Sequence, residues 1–412
     1  MKKIVLAALC FVGAGVQVAK AQTSNAENRV ITTGVPFLLI AADARAAGLA
    51  DQGVATSSDV YSQQWNPSKY AFATSQHGLS LSYTPYLTSI ANDISLGQLT
   101  YFNKFDERMA FAGSLRYFSL GDIELRQTDN PDETVITRSP SEFALDLSYS
   151  LKLSERFSMS VAGRFIDSNL KVAEAVAGSS ADSKAALSYA FDLSGFYQSE
   201  EEAYDDFDGR YRIGFNFQNL GPKISYDSDT TLSSNFLPSN LRLGGGFDFI
   251  FDEYNTIGVS AEFTKLLVPT PPAIVDAVDS NGDGEIDNSE QQTADDAYSQ
   301  KLQDYKNINW VNGIFKSFGD APGGFSEELK EVTYSVATEY TYNKAFNMRL
   351  GYFHESPQKG ARKFFSLGAG FKYTTLKIDF SYLFSASTVR NPLENTLRFS
   401  LSFAFGDEWD EY

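Results

Sequence analysis

From about Gly78 onward the chain is written in segments of roughly ten residues in which large apolar side chains alternate with small or polar ones. Period two is the period of a strand, and it puts the two kinds of side chain on opposite faces. The last segment is the clearest. Leu397, Phe399, Leu401, Phe403 and Phe405 point one way, and Arg398, Ser400, Ser402 and Ala404 the other. The segment before it sets Leu376, Ile378, Phe380, Tyr382 and Phe384 against Lys377, Asp379 and Ser381, and a third sets Phe157, Met159 and Val161 against Ser158, Ser160 and Arg164. Others begin near Phe143, Leu187, Tyr211, Leu241, Ile257, Val332, Phe346 and Phe365.

A soluble sandwich would carry Lys, Glu and Thr on its outer face. Here the second face is rich in Ser, Gly and Ala, with isolated charges: Arg116, Arg164, Arg212, Arg242, Arg349 and Arg398 beside Asp146, Asp192, Asp248, Glu262, Glu339 and Asp379. Small residues and mixed charges suit a crowded, ion-paired lumen, with the apolar face toward lipid. About fourteen such strands are expected, an even number, as bacterial single-chain barrels have. Gaps alternate in length. Ser154–Arg156, Asp252–Tyr254 and Tyr342–Lys344 are short, whereas 127–139, 172–183, 226–238 and 269–328 are long. Short periplasmic turns and long outer loops are the barrel rule, which predicts periplasmic termini and outward-facing long gaps. One gap departs from it, the acidic turn 200–210 on the periplasmic side. It reads as a solvated turn, or as a dock for a basic partner. The fold class expected is all-β, a transmembrane antiparallel β-barrel spanning residues 77–405.

Composition agrees. The 33 Phe and 22 Tyr supply the aromatic girdles of a barrel. Mean hydropathy of -0.25 is modest, as alternation makes it. No apolar run after the first residues approaches the roughly 20 residues of a membrane helix. The net charge of -18 argues against nucleic acid, since nothing would neutralise phosphates. At the start, Lys2 and Lys3 precede the short apolar run Ile4–Val16, and Ala19-Lys20-Ala21 offers a cleavage site before Gln22. Residues 1–21 therefore read as a signal peptide for export. The only cysteine, Cys10, leaves with it, so the mature chain has neither disulfide nor thiol nucleophile.

Residues 22–76 form a separate, N-terminal periplasmic or plug segment, and 30–76 do not alternate. Small residues and the apolar cluster Pro36–Ile40 suggest a segment that folds inward. Two words here carry a resemblance: Val35-Pro36-Phe37-Leu38-Leu39-Ile40 followed by Asp43-Ala44-Arg45-Ala46-Ala47-Gly48, and Trp65-Asn66-Pro67-Ser68-Lys69-Tyr70-Ala71-Phe72, with Gly53-Val54-Ala55-Thr56 between. They resemble the opening of the PorV family, outer-membrane components of the type IX secretion system. Ala42 and Ala47 depart from it, where Pro and a second Gly are expected. The Asn-Pro box is shared with FadL-like transporter barrels, where it belongs to the plug. The resemblance implies a non-enzymatic role in protein export. The barrel would bind the C-terminal signal domain of secreted cargo emerging from a separate large translocon barrel and pass the cargo to a surface attachment complex. The alternative is a FadL-like importer of hydrophobic small molecules, which should have an apolar lumen path. A surface structural or adhesive barrel is the third reading.

Inside the long gap 269–328, Asp279-Ser280-Asn281-Gly282-Asp283-Gly284-Glu285-Ile286-Asp287-Asn288-Ser289-Glu290 matches the twelve-residue calcium loop. Asp279, Asn281, Asp283 and Asp287 would give side-chain oxygens, Glu285 its carbonyl, and Glu290 a bidentate carboxylate. Pro269, Pro271 and Pro272 preclude a regular entering helix, so one following helix, Ser289 to about Tyr305, and a structural Ca2+ are expected. The alternative is a solvated acidic loop with no ion. The two histidines, His77 and His354, sit in no ligand or triad spacing. Residues 406–412 read as an acidic tail.

Overall fold

The computed structural model describes residues 29–87, 93–125, 136–170, 185–226, 234–387 and 396–408. The expected signal segment, the gap 172–183, parts of 127–139 and 226–238, and the end of the acidic tail lie outside them. Fourteen antiparallel strands close on themselves: β1 (Ser75–Pro85), β2 (Ile94–Lys104), β3 (Met109–Leu120), β4 (Ser141–Lys152), β5 (Phe157–Asn169), β6 (Ala186–Gln198), β7 (Asp208–Leu220), β8 (Asn240–Ile250), β9 (Asn255–Leu266), β10 (Val332–Tyr342), β11 (Phe346–His354), β12 (Lys363–Tyr373), β13 (Leu376–Ser385) and β14 (Leu397–Glu408). Each pairs with its sequence neighbours. Gly78 opposite Ala404 and Leu81 opposite Leu401 join β1 to β14, so the wall has no free edge. β14 runs three residues into the expected acidic tail.

Alternation sorts the faces as the pattern requires. Leu397, Phe399 and Phe403 are exposed on the outside, while Arg398, Ser400 and Ser402 are buried inside. The same holds for Leu145 and Leu147 against Asp146 and Ser148 on β4. Short turns gather at one end. At the other lie the long segments, of which 267–331 holds helices α3 (Asn288–Asn307), α4 (Trp310–Lys316) and α5 (Phe325–Glu328). Residues 202–203 pair with the start of β7, so the acidic turn extends a hairpin, and its Glu200 and Glu201 pair with Arg156 and Arg210.

The N-terminal segment threads the lumen. Its helices are single turns, α1 (Ala44–Gly48) and α2 (Ser62–Trp65), joined to 3-10 turns at Pro36–Leu39 and Pro67–Phe72. The described start of the chain corrects one expectation: it lies at the long-loop end, not with the short turns. Arg29 pairs with Glu327 of the long loop, and Gly34 N–H donates to Phe236 O. The chain then descends to β1. The physical reason is the apolar cluster. Val35, Phe37 and Leu38 bury against Leu96, Phe118, Ile166, Ile224 and Leu237 at the outer end.

Small inward residues let plug backbone lie against the wall. A Cβ on Gly214 of β7 would stand 2.2 Å from Val54 O, a backbone atom that cannot swing aside. Gly214→Val is expected to displace the plug and raise ion conductance in planar bilayers. Gly163→Val, on the lipid face with open space around it, should leave the barrel as closed as the parent.

Candidate functional site

The lumen is the candidate site, and its electrostatics follow from burial. A guanidinium taken out of water needs a partner charge or carbonyl. The six inward arginines anticipated from the alternation each have one. Arg164 bridges Asp146 (2.6 Å) and Asp192 (3.1 Å). Arg212 forks onto Asp248, and Arg242 meets Glu262 at 2.8 Å. Arg349 takes Asp379 at 2.7 Å and Glu339 at 3.3 Å. Arg398 and Arg116 reach the plug instead. Arg398 pairs with Asp51 at 3.2 Å, and Arg116 donates to the carbonyls of Phe37, Leu38 and Ile40. Glu262 also accepts from Gly53 N–H and Val54 N–H at 2.9 and 3.0 Å.

The plug answers with its own charges. Arg45 leaves α1 to pair with Asp59 and with Glu339 at 3.0 Å, which places Glu339 between Arg45 and Arg349. Asp43 caps α1 by accepting from Ala46 N–H and takes Trp65 Nε1–H at 2.7 Å. Asn66 closes the Asn-Pro box. Its amide donates to Val54 O (2.8 Å) and Gly195 O (3.0 Å), while its oxygen accepts from Ser68 N–H. Lys69 Nζ donates to Gly53 O at 2.8 Å and Thr56 Oγ1 at 3.0 Å. The two N-terminal words that carry the resemblance are therefore the two halves of one hydrogen-bonded plug.

Three cavities adjoin it among the described residues, one of them, about 300 Å3, between the plug residues Asp59 and Tyr61 and the wall residues Phe102, Lys372 and Lys377. A second, of about 540 Å3, opens toward the short turns and is lined by Arg45, Arg210, Arg212, Asp248, Glu339 and Lys344 among others. The third, about 80 Å3, lies on the outer side near Arg242, Glu262, Lys359 and Arg362. Above it Glu327, Glu328 and Glu331 of the long loop meet Lys265 of β9 and Lys359, and Arg29 joins through Glu327. Asp51, Asp59 and these loop glutamates have no periodic position, so strand patterning could not reveal them. His77 and His354 stand among aromatic rings, His77 beside Tyr101 and Phe405 and His354 on Tyr334.

The calcium-loop residues are brought to one turn. Asp279 accepts from Gly282 N–H (2.6 Å) and Gly284 N–H (2.8 Å), and Gly284 sits at φ 84°. Glu290 reaches back to Ser280 N–H and Asp287 N–H. Asp287 caps α3, which starts one residue before the expected Ser289 and ends at Asn307. These N–H donors hold the carboxyls of Asp279 and Glu290 below their ordinary pKa. Among the described residues no three acidic or histidine side chains converge on one centre. The donor set is all oxygen, which fits a hard cation.

A family model described as "Type IX secretion system protein PorV" matches residues 23–273. No curated protein matches the chain. Solved structures that resemble it include the Pseudomonas putida toluene transporter TodX, at TM-score 0.44 and 12% identity over 87% of this chain and 95% of that one. A TodX deltaS2S3 mutant monoaromatic hydrocarbon channel gives TM-score 0.48 and 12% identity over 88% and 98%. A Pseudomonas aeruginosa FadL homologue gives 0.42 and 13% over 92% and 100%.

Glu339→Gln removes the charge shared by two buried guanidiniums, each of which keeps a second carboxylate, and is expected to cost about 1–3 kcal/mol. Glu200→Gln, at a pair exposed to solvent, should cost under about 1 kcal/mol. Unfolding midpoints in detergent check the contrast. The outer clamp is pH-dependent in a set direction. Arg29 beside Glu327, helped by Lys359, holds its carboxyl down from 4.5 to about 2. A carboxylate depressed on folding stabilises above its unfolded pKa and loses that contribution as pH falls through its folded one. The protection factors of residues 29–35 in hydrogen exchange, taken against the intrinsic rate at each pH, are thus expected to be high at pH 5 and to fall progressively from about 4.5 toward 2.

Proposed function

Because the chain belongs to the PorV family, outer-membrane components of the type IX secretion system, we propose that it binds exported cargo through the cargo's C-terminal signal domain at a separate large translocon barrel, and passes the cargo to the surface attachment machinery. The observation that supports a binding role over conduction is the plug. Among the described residues the lumen is crossed by a segment tied through Arg45, Arg116, Arg398, Glu262 and Asn66, which stands in the way of a solute. The importer reading needs an apolar route. The lumen cavities carry charged side chains among their apolar ones, and a hydrophobic molecule there displaces water from groups that need it. The work of the barrel is then done by its outer surfaces.

The long loop is proposed to take up one structural Ca2+ through Asp279, Asn281, Asp283, Asp287, Glu290 and the carbonyl of Glu285. Bringing these carboxylates together costs repulsion and loop entropy, and a divalent cation offsets both.

Surface proteomics of a deletion strain is expected to show cargo unreleased or unattached behind an intact membrane. An unchanged set of signal-bearing surface proteins would overturn the export reading and promote the importer. For the loop, calcium is expected to slow protease cleavage within 269–328 relative to chelator. Glu290→Ala should weaken calcium binding in titration calorimetry more than Asp279→Ala, and Glu290→Gln separates loss of the ligand charge from loss of the helix cap. Equal cleavage with and without calcium, and no calorimetric signal, would leave a solvated acidic loop.

A further inference from the structure

Helix α4 has three distinct faces. Gly313 and Ser317 are buried, and Gly313 packs so closely on Phe236 and Pro269 that a Cβ there would meet ring atoms within 3.3 Å. At 100° per residue, Asn312 and Lys316 fall about 100° round the helix from that buried face. The third face carries Val311, Phe315 and, just past the helix end, Phe318, which are 41%, 73% and 54% exposed. A loop in open water has no reason to hold two phenylalanines and a valine on one bare stripe.

The position of the helix says what covers that stripe. Trp310, the first residue of α4, packs edge-on against Phe191, with ring centroids 6.3 Å apart. Phe191 is on the outward face of β6, in the row of Leu187 and Tyr189, both exposed to lipid. Those two lie farther out along the strand than Phe191. Four residues at about 3.3 Å each, on a strand tilted about 40°, put Leu187 roughly 10 Å nearer the outer rim than the ring Trp310 touches. β7 beside it ends at Leu220, opposite Phe191, so the wall is lower there and the loop can fold over it. Lys223 Nζ on Lys306 O and Tyr305 OH on Pro269 O hold the end of α3 at the same rim.

We propose that α4 lies in the outer leaflet as an interfacial anchor, with Val311, Phe315 and Phe318 in lipid and Asn312 and Lys316 in the headgroup layer. The apolar stripe continues the lipid-facing surface of β6, which is the interface this outer-membrane barrel already has. Tryptophan at the junction suits a boundary that is apolar on one side and wet on the other. An amphipathic turn of this kind binds by burying its apolar face in the plane of the interface. Anchored so, the loop is fixed beside β6 and β7, and α3 with its acidic turn is held at a defined edge of the barrel.

The test uses the whole protein in lipid bilayers, with Cys10 replaced and a nitroxide label placed in turn at Val311, Phe315, Phe318, Asn312 and Lys316. The first three are expected to show a ratio of oxygen to polar nickel-complex collisions several-fold above that of the last two. Equal, water-like ratios at all five positions would overturn the proposal. So would labels at Phe315 and Phe318 that are open to the nickel complex in bilayers and shielded only when another protein is added, which would make the stripe a protein-docking face.

Discussion

An arginine side chain cannot be left bare inside a barrel, and the six inward arginines named from the alternation set the terms for much of the lumen. Four find carboxylates on wall strands one or two places away, and these cross-links tie neighbouring strands together around the ring. The other two are satisfied only by the plug: Arg398 by Asp51, Arg116 by the carbonyl cluster at Phe37, Leu38 and Ile40. The wall is therefore electrostatically incomplete without its N-terminal segment. The segment in turn has little regular structure, so its backbone polar groups depend on wall side chains such as Ser150, Ser158, Asn216 and Ser366.

That mutual dependence shapes the functional reading. A channel keeps its plug removable or its lumen lined for the solute. Here the outer half of the lumen is packed with the chain's own apolar side chains, Phe37, Leu38, Leu96, Phe118 and Ile166, and the inner half is a vestibule of paired charges. On the proposed export reading, the chemistry of interest lies on the rim and the outer wall, where the long loop with its acidic turn and apolar helix stands.

Much of this was legible in the sequence because strands have a period. Every inward arginine and carboxylate named from the alternation is in the lumen, and most of them pair with one another. The words around Asp43, Trp65 and Asn66 announced the plug. What had no period stayed hidden. The direction of the plug could not be read, since an irregular segment threads a lumen as easily from either end; Val35, Phe37 and Leu38 decide it by burying at the long-loop end. Asp51 and Asp59 look like any loop acids until the wall supplies Arg398 and Arg45. The stripe on α4 is invisible for a related reason: seven residues are too few for a helical period, and only the ring of Phe191 shows which way the helix lies.

The central claim is that the plug stays in place while the protein works. Cysteines at Ala55 and Gly244, in a Val54→Ala background that removes the methyl a Cβ at 244 would meet at 2.5 Å, test it directly, because the two Cβ atoms would stand 3.3 Å apart, close to the roughly 3.5–4.5 Å of a disulfide. Cells relying on this cross-linked barrel, with the bond confirmed by mobility on gels, are assayed for cargo at the surface. The account predicts cargo at the level seen with the parent protein, oxidised or reduced. Cargo lost on oxidation and recovered on reduction would mean that the plug must move, and would contradict it.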